Sequence, residues 1–370
     1  MSPALEASGE DVTFAALLDR VRKHVDGSLE AWLKPRVAAA SAVSAEVGAA
    51  AEAVSGLAVR GGKRMRAALV GAAFVACSDE GSPGWSNESS ANKSSASVSW
   101  ATVDRAMLAI ELLQVYLLIH DDWMDDDDVR RGGPAVHVLL RDRLGSKRLG
   151  DSAAVLAGDL ACGYAQEALL ESDLPAERVL GAARAFARIQ EEVVTGQLAE
   201  MSTHASVEVI HALKTASYTV TGPLALGAHL AGASETRVAQ LARYGRPLGI
   251  AFQLRDDLLG TFGDATATGK PVGNDIRQGK RTALVAEMRG HAGSEALLSR
   301  VLGRVDASDN DVAEVVRAME TSGAKARVEA RVAELLAEAR AALETMALPE
   351  DSQGKLWLAG AVRALGERSA

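Results

Sequence analysis

Residues 112–125 read LLQVYLLIHDDWMD, an apolar run that passes directly into a cluster of carboxylates. An α-helix has about 3.6 residues per turn, so Asp121 and Asp125 share one of its faces. Gln114 and Leu117 precede them on the same face. Carboxylates beside leucines are costly to bury unless a cation or hydrogen-bond donors compensate their charge. The segment therefore predicts a largely buried helix with an anionic end that needs such compensation.

The same pattern occurs a second time in residues 249–259, which read GIAFQLRDDLL. Spacings of three and four residues place Gln253, Asp256 and Asp257 on one helix face. If the two helices face each other, their carboxylates form a site made of oxygen ligands alone. Such a site fits Mg²⁺, which commonly binds one or two carboxylates together with substrate phosphate. Two such pairs at the ends of apolar helices therefore predict a magnesium site.

Basic residues that suit phosphate accompany both acidic clusters. They are Lys63 and Arg66 in the segment GGKRMR, Arg130 and Arg131 after the first cluster, Lys214 followed by Thr215, and Lys270 and Lys280 after the second cluster. Lys63 and Arg66 lie one turn apart at a predicted helix start, where backbone amides favour anions. Arg makes bidentate contacts to phosphate, and Lys makes point-charge contacts. Each residue alone reads as an ordinary surface charge, but their joint placement indicates a phosphate-bearing substrate.

Composition narrows the class of protein. Apolar residues make up 48% of the 370 residues and aromatic residues only 4%. Alanine and leucine are abundant, and both are strong helix formers. The formal net charge of −9 argues against broad binding to nucleic acid. The longest apolar run, residues 107–119, is shorter than the roughly 20 residues that span a bilayer, so we expect a cytoplasmic protein with no stable membrane span.

The helical pattern covers most of the chain, and we predict one all-α domain over residues 13–370. Residues 1–12 are expected to form a flexible N-terminus. Residues 79–99 are rich in Ser, Asn and Gly, which predicts a flexible loop. Glycine–proline clusters predict breaks between helices. The main ones are residues 132–134, 222–223 and 245–247.

Together these motifs resemble the trans-isoprenyl diphosphate synthases, or polyprenyl synthetases, over roughly residues 54–284. The resemblance rests on five segments, which are GGKRMR at 61–66, DDWMD with RRG at 121–132, Lys214-Thr215, QLRDD at 253–257 and GKRT at 279–282. It implies an isoprenoid-synthase-type helical bundle around a deep apolar cavity, usually as a homodimer. It also implies Mg²⁺-dependent head-to-tail (1′-4) condensation of isopentenyl diphosphate with an allylic diphosphate, with roughly three ions per site.

The resemblance also implies roles for individual residues. The metal ions would be bound by Asp121, Asp125 and Asp256, with support from Asp122 and Asp257. Isopentenyl diphosphate would be bound by Lys63, Arg66, Gln114 and Arg131. The allylic diphosphate would be bound by Arg130, Lys214, Thr215, Gln253, Lys270 and Lys280. Catalysis would rest on Asp121, Asp125, Asp256, Lys214 and Arg130. The second motif departs from the family, because Gly260 stands where an aspartate is usual; Asp264 is a partial substitute.

Product length should depend on the side chains upstream of Asp121. The candidates are Tyr116, Leu117 and Leu113. An aromatic residue at the place of Tyr116 resembles the geranylgeranyl diphosphate synthases, which makes that product our first expectation and farnesyl diphosphate our second. A class I terpene cyclase and a regulatory subunit of a heteromeric synthase remain alternatives. The cyclase has no evident need for Lys63 and Arg66, and the subunit would tend to lose the catalytic acids.

Overall fold

The computed structural model describes residues 13–78, 102–202, 204–263, 273–289, 291 and 293–366. The regular secondary structure of these residues is almost entirely helical, which confirms the predicted all-α class. The predicted flexible terminus at 1–12, the predicted loop at 79–99, Asp264 and Lys270 lie outside the described residues. None of the described helices is both long and apolar enough to cross a bilayer.

The chain forms two compact units. The first comprises Met1–Phe186, Pro223–Arg237 and Asp351–Trp357, and the second comprises Ala187–Gly222, Val238–Glu350 and Leu358–Ala370. Four helices contribute residues to both units, namely α7 (Ala176–Met201), α9 (Gly222–Ala231), α10 (Glu235–Phe262) and α16 (Gln353–Gly366). A single domain over residues 13–370 with a deep apolar cavity therefore stays a prediction.

The first unit is built on a buried central helix. The elements that lie wholly within this unit are α1 (Phe14–Ser41), α2 (Ala45–Val59), α3 (Met65–Ser78), α4 (Asp104–Met124), β1 (Val129–Arg130), β2 (Gly133–Pro134), α5 (Val136–Leu144) and α6 (Lys147–Leu170). The central helix is α4, whose residues 106–113 are all buried and which packs along α6. On α1 the side chains at Phe14, Leu17 and Val21 are buried at helical spacing, as the sequence predicts.

The predicted break at residues 132–134 is a tight hairpin. Strands β1 and β2 pair antiparallel, with Val129 opposite Pro134 and Arg130 opposite Gly133. The two turn residues, Arg131 and Gly132, have φ values of 52° and 71°. Two consecutive left-handed residues are what a two-residue type I′ hairpin requires. The hairpin thus holds the two arginines that follow the first acidic cluster in a defined geometry.

The second unit contains a stretch of π-helix. The π-helix covers His211–Thr221 and lies between α8 (Val207–Ile210) and α9 in the chain. The later helices of this unit are α11 (Asn274–Arg277), α12 (Ala283–Met288), α13 (Ser294–Val301), α14 (Asp309–Thr321) and α15 (Ala324–Glu344). Each residue of a π-helix bonds five residues on, which widens the turn, and such stretches are frequent at functional sites. The candidate residues Lys214 and Thr215 both lie in it.

Two of the predicted helix breaks are wrong. Helical backbone continues through Gly222 and Pro223, and α10 runs without interruption through residues 245–247. Pro223 is the second residue of α9 and follows the π-helix directly, so one carbonyl of the continuous helix lacks its usual backbone donor. Pro247 lies in the interior of α10, next to the fully buried Leu248. Packing of the apolar helix outweighs the local cost of the proline.

Candidate functional site

The first acidic cluster lies at the end of α4, as predicted. Asp121 belongs to the last turn and Asp125 caps the helix, with the Asp125 backbone N–H donating to the carbonyl of Asp121 at 2.8 Å. One helical turn therefore separates the two residues, and both are partly exposed. Gln114, further up the same helix, is also partly exposed, whereas Leu113 is fully buried. The end of α4 thus presents two carboxylates that a ligand could reach.

Asp122 differs from its neighbours because it is 0% exposed and paired with Arg130. Its Oδ1 accepts hydrogen bonds from Nε of Arg130 at 2.7 Å and from Nη2 of the same side chain. Burial raises the pKa of Asp122, although the Arg130 guanidinium opposes this effect. Arg130 also lies 3.4 Å from Asp127. The pair ties the hairpin to α4, and metal binding by Asp122 remains a prediction.

The predicted basic segment at the start of α3 contains a buried arginine that sequence reasoning missed. The Arg64 side chain is fully buried, its φ is 49°, and it donates to Asp26 at 2.8 Å and to Glu111 at 2.9 Å. A third bond reaches the carbonyl of Ala58 at 2.7 Å. Glu111, which interrupts the apolar sequence of α4, is the one sequence feature that indicates a buried cationic partner, because a buried charge requires compensation. Arg64 therefore fixes the junction between the loop that bears Lys63 and the first turn of α3, which bears Arg66.

Arg131 lies in a cation-rich environment. Its Nη1 donates to the carbonyl of Leu57 at 3.1 Å, and a Cβ added to Gly62 would lie 3.5 Å from its Nη2. Burial lowers the pKa of Arg131 to about 10; Glu111 opposes this, and the neighbouring Arg64 and Arg66 lower it further. A bound anion would relieve the repulsion among these guanidinium groups. Arg66 therefore lies near enough to Arg131 to influence its charge, while Lys63 is exposed, and the role of these residues in binding isopentenyl diphosphate stays a prediction.

In the second unit, Asp256 and Asp257 lie within α10 rather than at its end, because the helix continues to Phe262. Asp256 is exposed, whereas Asp257 is only 5% exposed. Oδ1 of Asp257 accepts from Gln253 at 2.8 Å, and Oδ2 accepts from the backbone N–H of Ala283 at 3.3 Å. Burial raises the pKa of Asp257 to about 7, although these hydrogen bonds oppose the rise.

A chain of hydrogen bonds joins the π-helix to α10. The hydroxyl of Thr215 donates to the amide oxygen of Gln253 at 2.8 Å, and Gln253 in turn donates to Asp257. Thr215 and Gln253 are therefore in direct contact, and their role in lining the reacting carbons stays a prediction. The neighbouring Lys214 donates to Glu200 on α7, a partner that the sequence pattern did not indicate. Asp257 thus orients polar side chains from inside the unit, while Asp256 faces outward.

The position of the missing aspartate lies close to another carboxylate. A Cβ added to Gly260 would lie 3.1 Å from Oδ2 of Asp275, which belongs to α11. The carbonyl of Gly260 accepts from the backbone N–H of Gly273 at 3.3 Å, which brings α11 beside α10. The backbone N–H of Lys280 donates to the carbonyl of Asp275 at 2.8 Å. Asp275, which the sequence did not single out, therefore places a carboxylate beside Gly260.

The donor atoms of both clusters suit magnesium. Asp121, Asp125 and Asp256 offer carboxylate oxygens, and Mg²⁺ usually takes one or two carboxylates and completes its shell with water and phosphate. Within the described ranges, no group of three or more His, Cys, Asp or Glu side chains is gathered into a ready-made metal site. The carboxylate oxygens of these three residues are nevertheless the type of ligand that Mg²⁺ prefers. The residues therefore fit the ion, although the number of ions is not fixed by them.

These features define a member of the all-α isoprenoid synthase fold. A geranylgeranyl pyrophosphate synthase from Corynebacterium glutamicum, complexed with isoprenyl diphosphate and magnesium, matches with a TM-score of 0.82 and 33% identity over 95% of this chain and 99% of that one. A polyprenyl synthetase from Streptomyces coelicolor matches with a TM-score of 0.73 and 26% identity over 93% and 98%. The polyprenyl synthetase family model matches residues 49–319, so the chain belongs to that family, as predicted.

Curated relatives fall into two product classes. The (2E,6E)-farnesyl diphosphate synthase of Mycobacterium tuberculosis H37Rv is 37% identical over 237 residues, which cover 60% of this chain and 63% of the relative. The geranylgeranyl diphosphate synthase of Sulfolobus acidocaldarius is 37% identical over 186 residues, covering 48% and 53%. The chain thus spans less than two thirds of the length of these relatives, and their names leave the product length unresolved.

Proposed function

We propose that the protein is a prenyl diphosphate synthase that condenses isopentenyl diphosphate with an allylic diphosphate. The main support is the combination of two aspartate pairs with the cation-rich environment around Arg131. The acidic pairs suit a metal-bound diphosphate, and the arginines suit a second diphosphate without metal. A terpene cyclase handles one diphosphate only, so the second basic site favours the synthase. The catalytic acids of both clusters are present, which argues against a regulatory subunit.

In this mechanism Asp121, Asp125 and Asp256 would hold Mg²⁺, which when bound stabilises negative charge on the departing diphosphate. Arg130, Lys214, Lys270 and Lys280 would bind the same diphosphate, with Arg130 oriented by Asp122. Thr215 and Gln253 would line the reacting carbons. Lys63, Arg66, Gln114 and Arg131 would hold isopentenyl diphosphate so that its double bond attacks the allylic carbon. The proton then passes to the released diphosphate, and no side-chain base is needed.

Geranylgeranyl diphosphate is the product that we favour, with farnesyl diphosphate as the alternative. Tyr116 is half-buried on α4, and its ring packs edge-on against His120 with a centroid separation of 4.8 Å. Nε2 of His120 donates to the carbonyl of Val155 on α6 at 2.9 Å. Tyr116 is therefore part of a fixed aromatic pair upstream of Asp121, where a growing chain would stop. Leu113 and Leu117 would add bulk on the same helix.

A homodimer in the cytoplasm completes the proposal. Three leucines on α6, namely Leu149, Leu156 and Leu170, are exposed at spacings of 7 and 14 residues. Seven residues make about two helical turns, so these side chains form one apolar stripe. A second copy of the chain is the partner that we expect to cover it. Light scattering of the purified protein tests this; a mass of one 38.6 kDa chain would contradict it.

The function is tested with the purified protein, Mg²⁺, labelled isopentenyl diphosphate and three allylic starters of increasing length. We expect turnover only when both substrates are present, with geranylgeranyl diphosphate as the product by chromatography. Asp121→Ala and Asp256→Ala should each abolish turnover and leave the circular dichroism spectrum unchanged. Product formed without isopentenyl diphosphate would indicate a cyclase instead. Near-normal turnover in either variant would contradict the metal assignment, and an unchanged product from Tyr116→Ala would place the chain stop elsewhere.

A further inference from the structure

The second unit contains a partly open cavity that the proposed reaction does not use. Its volume is about 460 Å³, within the range of roughly 300–1,000 Å³ that is typical of small-molecule sites. The π-helix, α8, α10, α12 and α15 line it, and its deepest side chains are the buried Ile250, Leu254 and Val328. A cavity of this size with an apolar floor can hold a small organic molecule.

Ion pairs at the rim of the cavity already satisfy its charged side chains. Arg331 of α15 donates to Glu208 of α8 at 3.1 Å. Arg327 donates to the carboxylate of Glu287 on α12 at 2.7 Å and to its backbone carbonyl at 2.8 Å. A charged ligand would have to disrupt these contacts. The rim therefore favours a neutral occupant.

One polar side chain in the lining has an unused hydrogen-bonding atom. His211 is 7% exposed, and its buried Nδ1 has no hydrogen-bond partner among the residues that the structure describes. Its Nε2 lies 3.5 Å from Oδ2 of Asp257, so the ring hydrogen is favoured on Nε2. In that tautomer Nδ1 is an acceptor.

We propose that this cavity is a binding site for a small, neutral, mostly apolar molecule that donates one hydrogen bond to Nδ1 of His211. Apolar contacts with the floor supply the affinity, and the single acceptor sets the orientation and the preference for a donor. An unsatisfied buried polar atom is costly, so a ligand that satisfies it gains over one that does not. The site is additional to the diphosphate sites and does not depend on their assignment.

The test compares indole with indene, which has the same shape but no N–H group. Binding is measured by ligand-observed NMR titration of the full chain at pH 8, without substrates. We expect indole to bind about fivefold more tightly, the value of one net hydrogen bond of about 1 kcal/mol. His211→Phe should remove the preference and retain indene binding. Equal binding of the two probes to the native protein, or no binding of either, would overturn the proposal.

A matched pair of substitutions on α15 locates the probe. Ala330 lines the cavity, and Ala333, on the same helix, is exposed and does not line it. Ala330→Phe should weaken indole binding at least tenfold, whereas Ala333→Phe should leave it within twofold. Both positions are exposed, so both variants should fold even if His211→Phe does not. Equal effects of the two substitutions would show that indole binds outside this cavity and would refute the assignment.

Discussion

Replacement of Glu111 by glutamine tests the buried ion pair that supports the basic segment. Glu111 is 2% exposed, and its Oε2 accepts from the fully buried Arg64 at 2.9 Å. Breaking a buried pair typically costs about 3–5 kcal/mol, because one charge is left uncompensated. Arg64 keeps a second carboxylate partner in the half-exposed Asp26, so we expect the lower value, about 3 kcal/mol.

The control is the same substitution in an exposed pair. Glu52 accepts from Arg143 at 2.6 Å, and the two side chains are 49% and 41% exposed. Exposed pairs contribute about 0–1 kcal/mol, so Glu52→Gln should change the free energy of unfolding by less than about 1 kcal/mol. Urea titrations followed by circular dichroism give both values. If the two substitutions cost the same within about 0.5 kcal/mol, burial does not determine the strength of these pairs as argued.

Two further substitutions test packing and protonation. A Cβ on Gly158 would lie 2.2 Å from Nε2 of His120, so Gly158→Ala should destabilise the protein by about 1–3 kcal/mol. Gly27→Ala, at an exposed position of α1 with open space around it, should instead stabilise the protein by about 0.5–1 kcal/mol. Thermal melts should show a lower melting temperature for the first variant and a higher one for the second. A change in the same direction for both variants would refute the close approach of residue 158 to His120. Asp257 has an ordinary pKa of 3.8 and a folded value of about 7, so native stability is lost as pH rises through this window. The stability of Asp257→Asn relative to the native protein should therefore increase between about pH 4 and pH 7, by roughly 4 kcal/mol at most. Urea titrations in EDTA measure the free energy of unfolding of both proteins across this range. A difference between the two that does not change with pH would contradict the raised pKa.

Periodicity was sufficient to predict the helices and the two aspartate pairs. The stripe that begins at Phe14 and the spacing of Asp121 and Asp125 both follow from the helical repeat. The helical repeat does not predict that one aspartate of each pair is buried and the other exposed or partly exposed. Asp122 is the buried member of its pair because Arg130, which the β1–β2 hairpin positions, donates to its carboxylate. No local sequence pattern encodes that contact.

Other features depend on tertiary packing in the same way. The continuation of α10 through Pro247 contradicts local propensity, because burial of the neighbouring apolar side chains favours the helix. The π-helix has no recognisable signal in composition or spacing. Glu111 was visible as an interruption of an apolar run, and a buried partner was the inference available from it. The partner itself, Arg64, could be identified only in three dimensions.

The π-helix makes the second unit sensitive to chain length at one place. Its 11 residues hold the Thr215 hydroxyl within hydrogen-bonding distance of Gln253. Loss of one residue there would let the segment relax to an ordinary helix, and each residue of an α-helix turns the chain by about 100°. Everything before the deletion would then rotate by more than a quarter turn relative to α9. Natural variation in this segment should therefore consist of substitutions, and insertions or deletions should be tolerated only in pairs that restore the register.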